Sequence, residues 1–223
     1  MNNPTKSYLF LAILLTLIFL NSSTGLSKDN SPKPLRAKRE VRVLVYNYTN
    51  LPAAELRIAK ERAGRILTEA GIEVFWIDKG SENADNPSQP GGSIDLDQVN
   101  YFVRILPKSR EVLKTSALGE ALPCKKEMGG CYANLFLNRV QERAEFGRIG
   151  VEEVLGHAIA HELGHLLMGF NSHYSNGIMR AQWGPEELKQ AARGDLLFTP
   201  EQVQRIYRNI AISPGDGESS SAN

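Results

Sequence analysis

The chain has four histidines, and all fall within one seventeen-residue window: His157, His161, His165 and His173. Two of them bracket a carboxylate in His161-Glu162-Leu163-Gly164-His165, an H-E-x-x-H pattern. On a helix, residues four apart are offset by about 40° and stand about 6 Å apart along the axis, so two imidazoles so placed converge on one metal ion. Glu162 is turned about 100° from His161; its carboxylate need not ligate and can face a water held by the metal. Zinc is the natural ion, because imidazole suits it and its catalytic sites use three protein ligands plus water. The chemistry available is metal-assisted hydrolysis, with Glu162 as the base that takes a proton from the attacking water.

The neighbouring residues sharpen this reading. From Val154 to Met168 the chain reads VLGHAIAHELGHLLM, where only His157, His161, Glu162 and His165 are ionisable. A helix apolar all round is buried, and a carboxylate and imidazoles buried without partners are costly. A metal ion supplies the partner. The third ligand must come from outside the helix. His173 lies past Gly169, which can reverse the chain through a left-handed conformation. The competing choice is a carboxylate on a later helix, Glu186 or Glu187, as in thermolysin-like enzymes. His157, one turn upstream, is read as supporting the ligands from behind or as facing solvent near the helix start.

These side chains need a scaffold. Val41–Tyr48 (VRVLVYNY) alternates as a strand. Pro52–Ala70 carries apolar residues at helical spacing and stops at Gly71. Ile72–Ile77 is a second strand, so strand, helix and strand with short links predict a parallel pair. Residues 79–97 are rich in Gly, Pro, Asn, Ser and Asp and are read as a surface loop; Asp85, Asp95 and Asp97 in it are read as solvated, with calcium binding as the alternative. Val99–Leu106 is a third strand. Ser116–Leu122 and Cys131–Leu137 are shorter strands joined by a Gly-containing turn. A helix follows over Val151–Met168. Pro185 opens a short helix. Thr199, Pro200 and Gln202 open the last, as cap, first helical residue and capping-box partner.

The segment HELGHLLMGFNSH followed by SNGIMR resembles the zinc-binding segment and Met-turn of the metzincin metallopeptidases, closest in type to the matrixins and archaemetzincins. The resemblance implies His161, His165 and His173 as zinc ligands, Glu162 as general base and Met179 as the Met-turn residue beneath the metal. It implies an α+β, zincin-like fold: a twisted mixed β-sheet packed on an active-site helix and a backing helix, with a small, mostly helical C-terminal part. It also implies a peptide-binding edge strand, for which Ser116–Leu122 is the candidate; a plain surface strand is the alternative. The spacing departs from the family. Met168 stands where the family has Gly, Asn171 where it has the third His, and His173 comes two residues late. The activity implied is endopeptidase hydrolysis of peptide or protein substrates with one zinc ion. An exported zinc-binding module without catalysis is the reading from another class, and Glu162 argues against it, since a closed structural site has no use for a carboxylate beside an open position.

The chain ends and the composition bound the rest. Lys6, then the apolar run Leu9–Leu20, then small polar residues through Ser27 have the three-part layout of a signal peptide. The run is about 12 residues, short of the roughly 20 that span a bilayer; an uncleaved anchor is the alternative. Residues 28–40 are read as a flexible lead-in, 41–211 as the metallopeptidase domain and 212–223 as a disordered tail. The expected location is secreted or extracytoplasmic, with no stable membrane insertion after cleavage. A net charge of +1 over 223 residues offers no basic excess for nucleic acid. Cys124 and Cys131 bracket six residues; in an exported protein they are read as a disulfide, with two free thiols as the alternative.

Overall fold

The computed structural model describes residues 39–78, 99–109, 117–125, 130–169 and 172–212. All belong to the unit Ala37–Asn223. The expected signal peptide, most of the expected lead-in, the expected 79–97 loop with its three aspartates and the expected tail beyond 212 lie outside the described residues.

Strand β1 (Arg39–Asn47) leads through helix α1 (Ala53–Glu69) to β2 (Ile72–Asp78). β1 and β2 are parallel, as the strand–helix–strand pattern predicts, with Val41 opposite Val74. β1 begins at Arg39, two residues inside the expected lead-in, because Arg39 and Glu40 already pair with Ile72 and Glu73. β3 (Tyr101–Leu106) joins the other side of β1, again parallel. β4 (Gly119–Lys125) and β5 (Gly130–Phe136) are antiparallel, and β5 is parallel to β3. The strand order is β2-β1-β3-β5-β4, a mixed five-stranded sheet with β4 at one edge. Cys124 of β4 and Cys131 of β5 are joined by a disulfide.

Side-chain alternation assigns the faces. Val41, Val43 and Val45 of β1, Val103 and Ile105 of β3, and Ala133 and Leu135 of β5 are all buried in the core with α1 and the central helix α3 (Val151–Met168). Gly119 pairs with Leu135 and Ala121 with Ala133, so β4 turns these two positions to the same, helix-covered face. Ala59, Ala63, Ile66 and Leu67 line the buried side of α1. An ion pair between Arg62 of α1 and Glu153 of α3 ties the two helices together.

α3 has the bounds its sequence predicts and buries nearly all its residues. Helix α2 (Leu137–Gly147), between β5 and α3, is not anticipated by the sequence reading; it starts straight from the strand at Phe136 without a side-chain cap and buries only Leu137, Arg139, Val140 and Ala144. α4 (Pro185–Arg193) and α5 (Pro200–Ile212) complete the chain. The Thr199 capping box is formed: the Thr199 N–H donates to Gln202 Oε1 at 3.0 Å and the Gln202 N–H to Thr199 Oγ1 at 3.4 Å. The architecture is thus α+β, a mixed sheet packed on the central helix α3 and the backing helix α1, with two further helices after them. Among the described residues no helix is long and apolar enough to cross a membrane.

Candidate metal centre

His161 and His165 sit one turn apart on α3 and present their Nε2 atoms to each other at 3.1 Å. α3 ends at Gly169, whose φ of 79° and ψ of 170° place it in an extended conformation of positive φ, not in the left-handed helical one expected from the sequence. That region is open essentially to glycine alone. Beyond Gly169, His173 Nε2 stands 3.2 Å from His165 Nε2. His161, His165 and His173 are the group able to hold a metal ion among the described residues. Zn–N bonds of 2.0–2.1 Å at tetrahedral angles separate ligand nitrogens by about 3.3 Å, close to the spacings found here.

The far nitrogens fix which ring atoms face the centre. Nδ1 of His161 donates to the Ile178 carbonyl at 2.7 Å. A carbonyl can only accept, so this nitrogen carries the proton and Nε2 of the neutral ring is a bare lone pair. Nδ1 of His165 is hydrogen-bonded to Ser172 Oγ at 2.7 Å, and Ser172 is fully buried. Burial holds His161 neutral, its pKa pulled down to about 4. Burial and the neighbouring histidines pull His165 down to about 3, and burial also lowers His173. The bare Nε2 lone pair of His161 thus faces the Nε2 atoms of His165 and, past it, His173, three neutral rings whose nitrogens converge where one cation can sit. The donor set fits zinc, and the hydrogen bonds behind it are of the kind that orient metal-ligating histidines.

Glu162 lies beside this centre, 5% exposed. Burial, with the Glu120 carboxylate adding to it, pushes its pKa up to about 8; a bound dication acts in the opposite direction. Its carboxylate rests against β4. A Cβ built on Gly119 would stand 2.9 Å from Glu162 Cγ and Oε1 and 2.6 Å from the Asn134 carbonyl oxygen, so the glycine makes the room the carboxylate occupies. Met179 is fully buried under the same turn of α3, where a Cβ on Gly164 would meet its sulfur at 2.6 Å.

A cavity of about 280 Å³ opens over these groups. His161, Glu162, His165 and His173 line it, with Ala117–Ala121 on the β4 side and Arg143, Arg180 and Trp183 among the rest. The expected edge strand therefore starts at Gly119 rather than Ser116, is the sheet's edge, and borders the cavity.

Other assignments change. His157 does not face solvent: it is fully buried, its Nδ1 bonded to the Glu153 carbonyl at 2.7 Å, and burial pulls its pKa down to about 4. Its place on a helix covered all round leaves no solvent face. Neither candidate glutamate joins the histidines. Glu186 lies 63% exposed, 3.9 Å from Lys189, while Glu187 accepts from the Gly184 N–H at 2.8 Å and from Arg180 at 2.5 Å, capping α4. The sequence reading also passed over Ser172, the Ile178 carbonyl and Trp183. The Trp183 indole donates to the same Ile178 carbonyl at 3.3 Å and stands edge-on to His161 with centroids 5.7 Å apart.

The sequence matches no protein-family model and no curated protein. Among solved structures, the crystal structure of archaemetzincin from Methanopyrus kandleri is similar, with a TM-score of 0.47 and 16% identity over 79% of this chain and 98% of that one.

Proposed function

We propose that this chain is an exported zinc-dependent endopeptidase, with His161, His165 and His173 as the ligands and Glu162 as the general base. The convergence of three histidine Nε2 atoms beside a buried carboxylate, in a cavity bordered by the strand that forms the sheet's edge among the described residues, carries the proposal. Zinc bound there would supply a Lewis acid for the scissile carbonyl and a water of lowered pKa. Glu162 takes a proton from the attacking water and hands it to the leaving amine. The edge of β4 pairs with an extended peptide and lays its carbonyl across the site. Met179, packed against Gly164, gives the histidine-bearing turn a firm floor. The Ile178 carbonyl and Ser172 hydroxyl hold the ligand rings in place. The layout of residues 1–27 supports export, and a disulfide between β4 and β5 suits an oxidising compartment.

Metal analysis of the purified protein together with digestion of a mixed peptide library tests this. The expected result is one zinc per chain and internal cleavage that a chelator abolishes and added zinc restores. A protein that takes up no zinc at neutral pH and cleaves nothing contradicts it.

A further inference from the structure

The cavity wall carries a cation that the hydrolytic chemistry does not use. Arg143, half-buried on α2, donates from Nη1 to the Trp183 carbonyl at 3.0 Å, and its guanidinium lies 5.6 Å from the Phe146 ring centroid. Among the described residues no carboxylate is paired with it. Arg180, the second arginine of the lining, is by contrast spoken for by Glu187 at 2.5 Å. The anionic groups of the lining belong to other elements. Glu162 is on α3 against Gly119, and Glu120 is on β4, accepting from Asn134 Nδ2 at 2.8 Å. Arg143 lines the same cavity as the three histidines and Glu162. Trp183, whose carbonyl it holds, stands edge-on to His161 at 5.7 Å. A guanidinium has five N–H donors in a planar fork that matches a carboxylate, and one bond to a carbonyl leaves most of that fork unused.

We propose that Arg143 is a specificity-determining residue that receives a substrate carboxylate in this cavity, so that acidic peptides are the preferred substrate class. This rests on the peptidase reading above. Two sources present the same group: an Asp or Glu side chain, or a free peptide C-terminus. The apolar neighbours Leu118, Ala158 and Trp183 suit the aliphatic stem of an acidic side chain. Charge-assisted hydrogen bonds of this kind separate a carboxylate from its neutral isostere by about 10- to 100-fold.

The test is binding, so that it does not depend on turnover. The full chain carrying Glu162→Gln is titrated calorimetrically with hexapeptides that differ at one position as Asp, Glu, Asn, Gln or Ala, each with a free or an amidated C-terminus. Tighter binding of Asp or Glu over Asn or Gln by about tenfold or more supports a side-chain carboxylate. The same preference for free over amidated termini supports the chain end. Either preference should vanish in Arg143→Met, which keeps an apolar stem over Phe146, and survive in part in Arg143→Lys; circular dichroism confirms that both fold. Equal affinity for acidic and neutral peptides, a preference that persists in Arg143→Met, or no binding at millimolar peptide overturns the inference. Cleavage of neutral peptides as readily as acidic ones by the unmutated protein would also overturn it while leaving the peptidase reading intact. Arg143-dependent carboxylate binding without any cleavage would do the reverse.

Discussion

Ser172 Oγ stands 2.7 Å from Nδ1 of His165, and that contact turns the ring so that its Nε2 faces those of His161 and His173. Ser172 is fully buried, so the hydroxyl has no competing solvent. Ser172→Ala removes the bond and adds no bulk. Hydrogen-bond partners behind metal ligands are worth about 10- to 100-fold in affinity, and a loss of that order is expected here. Competition titration with a chromogenic zinc chelator measures it. Unchanged affinity would mean that packing on α3 orients His165 without the hydroxyl.

What the sequence disclosed follows from how far each signal reaches along the chain. α3 was legible because the largely apolar run Val154–Met168 is long, continuous and stopped by Gly169. The βαβ unit was legible because periodicity two, then helical spacing, then periodicity two is a local pattern. α2 was missed because Leu137, Val140 and Ala144 form a thin stripe and no capping residue separates the helix from β5. The H-E-x-x-H segment announced two imidazoles and a carboxylate, but not their supports. The Ile178 carbonyl is backbone and leaves no trace in residue type. Gly119, Arg143 and Trp183 reach the site through pairing and packing between distant segments. For His157 the solvent-facing alternative fell away because position on a helix does not tell which faces its neighbours cover.

Gly119→Ala sets a methyl 2.9 Å from Glu162 Cγ and 2.6 Å from the Asn134 carbonyl oxygen. The backbone oxygen cannot give way, so either β4 or Glu162 must move. Overpacking of this kind costs about 1–3 kcal/mol. Peptide hydrolysis should fall while zinc content is kept, because the ligands are not touched. Thermal melting with metal analysis checks both. Full activity at unchanged stability would show that Glu162 does not depend on this contact.

Metal-free Glu162→Gln should outlast the metal-free wild-type protein at alkaline pH. Burial, with the Glu120 charge, raises the Glu162 pKa from 4.5 to about 8. The folded state therefore holds a proton that the unfolded chain has lost, and this stabilisation, full below about pH 4.5, disappears as pH rises through about 8. Glutamine has no such loss. His157, His161 and His165, with pKa values lowered to about 4, 4 and 3, act the other way and weaken the fold as pH falls below 6.5, but equally in both proteins. Melting temperatures in chelator at pH 4.5, 6 and 8 should show the mutant's advantage growing with pH. A difference that does not vary with pH would contradict it.

Cys124 and Cys131 cross-link the β4–β5 hairpin over a sequence separation of 7. Replacing both with serine should cost about 2–3 kcal/mol in the chain-entropy account of so short a loop. Because β4 borders the cavity, the reduced hairpin should also weaken peptide binding more than zinc binding. Denaturant unfolding and a peptide titration separate these effects. Equal stability of the two proteins would remove the disulfide from the account of β4.

The most direct measurement is zinc content and peptide hydrolysis of metal-loaded Glu162→Gln beside the wild-type protein. Glutamine keeps the shape of the side chain and leaves His161, His165 and His173 untouched, but it cannot accept the water's proton. The account predicts one zinc per chain in both proteins and hydrolysis lowered by at least about 100-fold in the mutant, the lower end of general-base contributions. Full zinc with full hydrolysis would contradict Glu162 as the base, and loss of zinc along with activity would make it a ligand instead.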